Sequence, residues 1–408
     1  MWINIIPSPP GPRLLHQSGR VGRRVRRHLG QVVRWAHPSS AVGNIFLGLI
    51  LAVLLAGGAG AGEAFEMPRP GRVLAFPRDH GAHPEYKTEW WYYVGHLKTA
   101  SGETFGYQLT FFRVALRKLR KPDPQARSAW SLNTVYFAHL ALTDAARRTF
   151  AFREKAGRGA LGLSGAAAGT LKVWIDDWQA ELQGEDFHLL AKDEGLGLDL
   201  VLKPMKPPAR HGEGGYSRKS EKSDAASYYY SLPRLDTRGT ITVDGRQLPV
   251  TGESWMDHEF FSSAMAPNLS GWDWFSLQLE DGWDVMLYLL RQKDGSVNPV
   301  SSGSLVDPQG NTRHLKLSDF TVKPTGAWTS PHTQTTYPAG WEITIPGAGY
   351  RLRLTPTVPD QEIRSQAPAK VTYWEGQVKI EGVKNGAPVT GLGYAELTGY
   401  AGGLGGRF

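Results

Sequence analysis

Three features of this 408-residue sequence predict an all-β protein of two packed antiparallel β-barrels or half-barrels in tandem. The first is the run Thr88-Glu89-Trp90-Trp91-Tyr92-Tyr93-Val94-Gly95-His96-Leu97, with four consecutive aromatic residues. Successive side chains of a strand point to opposite sides, so both faces of this one must meet apolar surroundings. A barrel with a hollow interior provides them, one face packing outward and the other lining a pocket. The second is period-two alternation with turn dipeptides and no long helical period. The third is a weak internal repeat: Trp91-Tyr92 to Arg113 and Trp274-Phe275 to Arg291 each run aromatic pair, strand, glycine turn, apolar strand, arginine. Duplication would explain this pattern, as would two unrelated antiparallel hairpins.

Taken in order, the chain opens with Arg13, Arg20, Arg23, Arg24, Arg26, Arg27 and Arg34, all before the first acid, Glu63. The apolar run IFLGLILAVLLA at 45–56 and the small residues Ala59-Gly60-Ala61 follow. A charged region, an apolar region and an A-x-A site read as a secretory signal, with the mature chain beginning near Gly62. The alternative is a tilted anchor at 41–61, since a full span needs about 20 apolar residues. The expectation is an exported protein, periplasmic or extracellular, with Arg23-Arg24 and Arg26-Arg27 permitting a twin-arginine route. Without the seven arginines the formal net charge of +8 falls to 39 basic against 38 acidic residues. The folded part then lacks the basic footprint of a nucleic-acid binder.

Beyond residue 85 come the strands. Phe105, Tyr107, Leu109 and Phe111 share one face, Val135, Phe137, His139 and Ala141 another, and Leu196, Leu198, Leu200 and Leu202 a third. Ser101-Gly102, Asp244-Gly245, Asp281-Gly282, Asp294-Gly295 and Asn385-Gly386 mark hairpin turns. Two segments have no periodicity: 117–127, read as a mobile loop, and 203–227, read as a long loop or linker, either disordered or closing over a mouth. Domain boundaries follow: 1–61 signal or anchor, 62–236 first barrel domain, 237–408 second. The chain has no cysteine, so disulfides, thiolate metal sites and a cysteine nucleophile are excluded. Stability must come from core burial, which 14 Trp, 15 Tyr and 15 Phe supply.

Four motifs carry a family resemblance. They are Glu89-Trp90-Trp91-Tyr92-Tyr93; Gly252-Glu253-Ser254-Trp255-Met256-Asp257-His258-Glu259-Phe260; Gly271-Trp272-Asp273-Trp274-Phe275; and Tyr373-Trp374-Glu375-Gly376 with Gly393-Tyr394-Ala395-Glu396-Leu397-Thr398-Gly399-Tyr400. In this order they resemble the AttH and carotenoid 1,2-hydratase (hydroxyneurosporene synthase) family over about residues 70 to 402. The resemblance implies paired lipocalin-like barrels, an apolar lipid, polyene or acyl-type ligand, and in bacterial exported members a link to an ABC export system. Some relatives add water to a terminal carbon–carbon double bond, some fungal ones resemble pericyclases, and others bear a hydrolase label without a demonstrated reaction. In the hydratases a His-x-Trp segment precedes a Tyr-x-Asp segment that supplies the acid. Here the nearest positions are His258-Glu259-Phe260 and Tyr288-Leu289-Leu290, which lack both the tryptophan and the acid.

Hydration needs an acid to protonate carbon and walls that tolerate a carbocation. An apolar environment that raises a carboxyl pKa serves the first, and aromatic faces the second. Asp257, His258 and Glu259 form the densest titratable cluster between aromatics and are the catalytic candidates; the alternative is a strand end whose carboxylates bond backbone amides. Glu89, Trp90, Trp91, Tyr107, Trp255, Asp273, Trp274, Tyr288 and Glu396 are the ligand-binding candidates. Arg113 and Arg291 read as ion-pair partners of buried acids, with binding of a ligand carboxylate as the alternative. Asp79-His80-Gly81-Ala82-His83 is weak metal spacing in a loop, with no HExxH, so neither metal nor cofactor is expected. No G-x-S-x-G elbow supports a hydrolase. Three readings stand: a binder of an apolar ligand; a cofactor-free hydratase, lyase or isomerase acting on one; or a structural partner of a membrane export complex, with the aromatics as packing.

Overall fold

Alternation becomes antiparallel sheet almost everywhere in the computed structural model, which describes residues 64–118, 133–221, 224–263, 266–366 and 370–402. The expected signal or anchor and most of the expected loop at 117–127 lie outside the described residues. Among the described residues helix is limited to three single turns of 3-10 type.

The first sheet begins as a meander, Thr88–Lys98, Thr104–Ala115, Thr134–Asp144 and Thr149–Arg158. Shorter strands follow, and two long ones, Ala226–Val243 and Arg246–Phe261, bring the chain back. Arg246–Phe261 then pairs with Thr88–Lys98, placing Tyr92 directly opposite Asp257 and Trp91 opposite His258. The sheet curls into a nearly closed barrel, with Ser164 Oγ donating to the Arg158 carbonyl at 2.7 Å across the gap. The second sheet repeats the plan: its first strand, Leu269–Leu279, lies between its hairpin partner Asp284–Gln292 and its last strand, Ala387–Leu397. The sequence repeat thus corresponds to a repeated topology. Asp244-Gly245 and Asn385-Gly386 join the closing hairpins, each with two positive φ angles (50° and 75°; 51° and 86°), as a two-residue turn of matching twist requires.

Each lobe has its own packed interior. Trp91, Tyr93, Phe105, Tyr107, Trp178 and Leu200 fill the first, and Phe275, Leu277, Trp341, Ile343 and Trp374 the second. The expectation that a barrel interior is hollow is therefore corrected. A third cluster, including Tyr92, Val94, Tyr229, Trp255, Trp274 and Tyr288, lies between the sheets. Both faces of the aromatic strand do meet apolar surroundings: Trp91 and Tyr93 enter the first-lobe core while Tyr92 and Val94 face the second lobe.

Two organisational expectations change. The boundary expected at residue 236 falls inside Ala226–Val243, because both long strands belong to the first sheet; the chain crosses between sheets at 262–268. The segment 203–227 is also more than a linker. Its strands Ala209–Arg210 and Tyr216–Arg218 pair with Ala226–Val243, and Lys206 reaches Asp284 of the second sheet at 2.7 Å. Arg234 meets the same Asp284 at 2.7 Å, so a fully buried carboxylate is compensated by two cations. Paired backbone and fixed polar contacts order a stretch that has no apolar period.

A polar knot lies inside the first lobe. Glu89, fully buried, receives Arg113 Nε at 2.9 Å, His83 Nδ1 at 2.7 Å and His258 Nε2 at 2.9 Å. Arg113 also donates to the carbonyls of His83 and Tyr86, each at 2.8 Å. The Arg113 charge and the histidine hydrogen bonds overcome the burial that opposes ionisation and hold Glu89 well below the usual carboxylate range. Removing one partner strands a buried charge. Arg113→Met should cost ~3–5 kcal/mol in urea unfolding, and the double variant Glu89→Gln/Arg113→Met should recover most of the loss.

Candidate functional site

Strand alternation decides which motif residues meet. Along Arg246–Phe261, Met256 and Phe260 enter the first-lobe core and Trp255 the layer between sheets, so Asp257 and Glu259 face the second lobe while His258 points the other way. A cavity of about 150 Å³ lies there, between the sheets. Trp90, Phe112, Tyr229, Trp272, Trp274 and Tyr288 form its aromatic walls, and Asp257, Glu259, Glu375 and Glu396 its acids.

The acids are held with directional contacts. Asp257 accepts from Trp255 Nε1 at 2.6 Å and from the Tyr229 and Ser231 hydroxyls. Ser231 Oγ lies 2.5 Å from His211 Nε2, whose Nδ1 is 2.8 Å from Ser304 Oγ on the second sheet. The Tyr229 hydroxyl in turn accepts Trp274 Nε1 at 2.9 Å. Glu259 is neutralised by Lys219 at 2.8 Å, and the ammonium also sits 4.6 Å from the Tyr288 ring centre. Tyr92 spans the cleft, donating to Glu375 Oε1 at 2.6 Å. Among the described residues Glu375 Oε2 has no hydrogen-bond partner.

Glu375 and Glu396 stand directly opposite one another on Thr372–Lys384 and Ala387–Leu397. Like charges in that relation repel, and burial penalises each anion further. Burial first, and the Glu396 charge second, push Glu375 well above the usual carboxyl range. Burial, with Asp257 and Glu259 nearby, pushes Glu396 up to about 8. Burial raises Asp257 to about 7 against the pull of its three hydrogen bonds. The cleft therefore holds neutral carboxylic acids near pH 7, which can donate protons in a water-poor aromatic site.

Of the catalytic candidates, Asp257 and Glu259 line the cleft, and so do Trp90, Trp274, Tyr288 and Glu396 of the ligand-binding set. Trp255 holds Asp257 through its Nε1 hydrogen bond. His258, Glu89, Trp91 and Tyr107 are corrected: all four belong to the first-lobe interior, on the opposite face of their strands. Asp273 is corrected too, for it pairs with Arg291 at 2.9 Å and with the Tyr400 hydroxyl at 3.1 Å. Tyr92, Tyr229 and Lys219 are further site residues not expected from the sequence, as is Glu375, whose direct pairing with Glu396 joins the two segments of the fourth motif. His83, Glu89 and His258 put ligand atoms within 4.8 Å of one another, a spacing a metal would accept. Yet His83 also bonds Asp79 at 3.1 Å, His258 bonds Tyr230 at 3.0 Å, and Arg113 already compensates Glu89.

These carboxyls set a pH dependence. Their pKa values in the fold exceed the unfolded value of about 4, so the folded form keeps protons that the unfolded chain releases. The resulting stabilisation is complete below about pH 4 and disappears as pH rises through about 7 to 8. The melting temperature should decline across that window, and Glu396→Gln should flatten the decline.

The comparisons with known proteins agree with this architecture. The family model described as AttH-like matches residues 67–400. A solved structure from Nitrosomonas europaea, assigned as AttH, is 36% identical, with a TM-score of 0.74 over 82% of this chain and 100% of that one. Kievitone hydratase from Nectria haematococca is 15% identical, with a TM-score of 0.63 over 84% of this chain and 97% of that one, a likeness of fold. No curated protein matches the chain. With two similarly connected sheets around one aromatic cleft and a family match along the whole folded part, the chain belongs to the AttH-like family.

Proposed function

We propose that this AttH-like protein is a cofactor-free hydro-lyase that adds water to a carbon–carbon double bond of an apolar, unsaturated molecule held between the lobes. The observation that carries this reading is the facing Glu375–Glu396 pair, kept protonated in an aromatic cleft, with Glu375 Oε2 unbonded. The fold neighbour kievitone hydratase bears the name of the same reaction class.

In this reading the Glu375 carboxyl gives its Oε2 proton to one alkene carbon, and positive charge develops on the other. The rings of Trp90, Trp272, Trp274 and Tyr288 line the space where that charge forms. Cation–π attraction contributes ~0.5–2 kcal/mol per ring. A water molecule then bonds to the cationic carbon and loses a proton to the Asp257 carboxylate. The product has gained one hydrogen and one hydroxyl, and Asp257 returns its proton through solvent to Glu375. Tyr92 fixes the acid through Oε1; Tyr229, Ser231 and Trp255 fix the base. Glu375 must be protonated and Asp257 ionised, so the rate should rise through about pH 7 and fall at higher pH. Export belongs to the same proposal and rests on the arginine-rich stretch and the apolar run at 45–56.

The test is incubation with a panel of acyclic polyenes and prenylated compounds in oxygen-18 water, read by mass spectrometry. The reading expects labelled hydroxyl in the product, and a fall of about 10²–10⁴-fold for Glu375→Gln and Asp257→Asn with ligand binding retained. A ligand that binds the wild-type protein and is recovered unchanged would make it a carrier.

A further inference from the structure

The acid chemistry leaves one polar wall of the same cleft unused. Gln108, Thr110 and His139 project from the first lobe and Tyr373 from the second, and all four line the cavity. Gln108 and His139 are 2% and 1% exposed, so any polar atom they leave unpaired is cut off from bulk water. Their hydrogen bonds have one consistent direction. Gln108 Nε2 donates to Thr110 Oγ1 at 2.6 Å, and the same side chain hydrogen-bonds the Tyr373 hydroxyl. Tyr373, its oxygen already accepting, gives its proton to His139 Nδ1 at 2.8 Å. Burial keeps His139 neutral, its pKa lowered to about 3, so its one ring proton sits on Nε2.

Among the described residues two polar atoms of this wall have no partner: the acceptor Gln108 Oε1 and the donor His139 Nε2. The carboxylate oxygen nearest that nitrogen, Glu154 Oε2, is 3.9 Å away, too far to accept. Buried polar groups without partners are uncommon and call for a specific explanation. A hydrocarbon satisfies neither atom, and a ketone can satisfy only the histidine. A hydroxyl, donor and acceptor at once, fits both kinds of vacancy.

We propose that Gln108 and His139 form a specificity subsite for a hydroxyl group on the substrate, which narrows the substrate class to unsaturated alcohols or phenols. The proposal rests on the reading that the interlobe cleft takes the substrate. It is separable from the acid chemistry, because it concerns binding alone. A site built to hydrogen-bond a hydroxyl discriminates against the analogue that lacks it.

Farnesol and the hydrocarbon farnesene fill similar apolar space and differ in the hydroxyl. Their affinities, measured by displacement of a fluorescent apolar probe from the full chain, test the proposal. The wild type should bind farnesol about 10- to 100-fold more tightly. Gln108→Met should lose that preference by weakening farnesol alone, His139→Phe should do the same, and Gln108→Glu, which keeps an acceptor, should restore it. Equal wild-type affinities, or a loss in Gln108→Met shared by both ligands, would overturn the subsite and leave the cleft reading standing. Binding of neither ligand would overturn both. Thermal melting of each variant confirms that it is folded.

Discussion

The constraint on which this structure depends is the two-residue period of a strand buried on both faces. Thr88–Lys98 and Arg246–Phe261 lie between two apolar bodies, the first-lobe core and the second lobe. At 88–97 and 254–260, where the two strands are buried, each side chain is committed to one body or the other. Glu89 and His258 enter the closed core, where arginine and histidine partners surround the carboxylate; Tyr92 and Asp257 face the cleft. A one-residue slip would exchange these sets and bury the wrong charges. The ion-pair knot in the first lobe and the acids of the cleft are two consequences of one register.

The cleft acids are unfavourable from the standpoint of stability. Two glutamates face each other across a strand pair, and no cation among the described residues neutralises Glu375. Several other buried carboxylates have a cation beside them: Arg113 for Glu89, Lys206 and Arg234 for Asp284, Arg291 for Asp273 and, within the cleft, Lys219 for Glu259. Glu375 and Glu396 differ from these in facing each other directly across a strand pair with no cation between them among the described residues. Local conflict of this kind, in an otherwise consistent design, is the usual mark of a functional site.

Much of the fold was legible because it is written in local patterns. Alternation, the positive-φ turn dipeptides and the aromatic strand require no tertiary knowledge, and the repeated hairpins reappear as repeated topology. The site was legible only in part. Asp257, Glu259, Trp274 and Glu396 were reached through motifs, yet the Asp257-His258-Glu259 cluster is contiguous in sequence and divided in space, because adjacent strand residues face opposite ways. Glu375 and Glu396 are separated by a hairpin and become neighbours only through register. Segment 203–227 looked like a linker because its order comes from edge pairing and single polar contacts such as Lys206 to Asp284 and His211 to Ser304.

The central claim is that the cleft stores a proton on a carboxyl at neutral pH. Neutron diffraction from crystals of deuterium-exchanged protein grown near pH 7 locates that proton directly. The account predicts nuclear density for a deuteron on Glu375 Oε2, with the Tyr92 hydroxyl donating to Oε1. Bare carboxylates at both Glu375 and Glu396 would contradict it and leave the cleft without an acid.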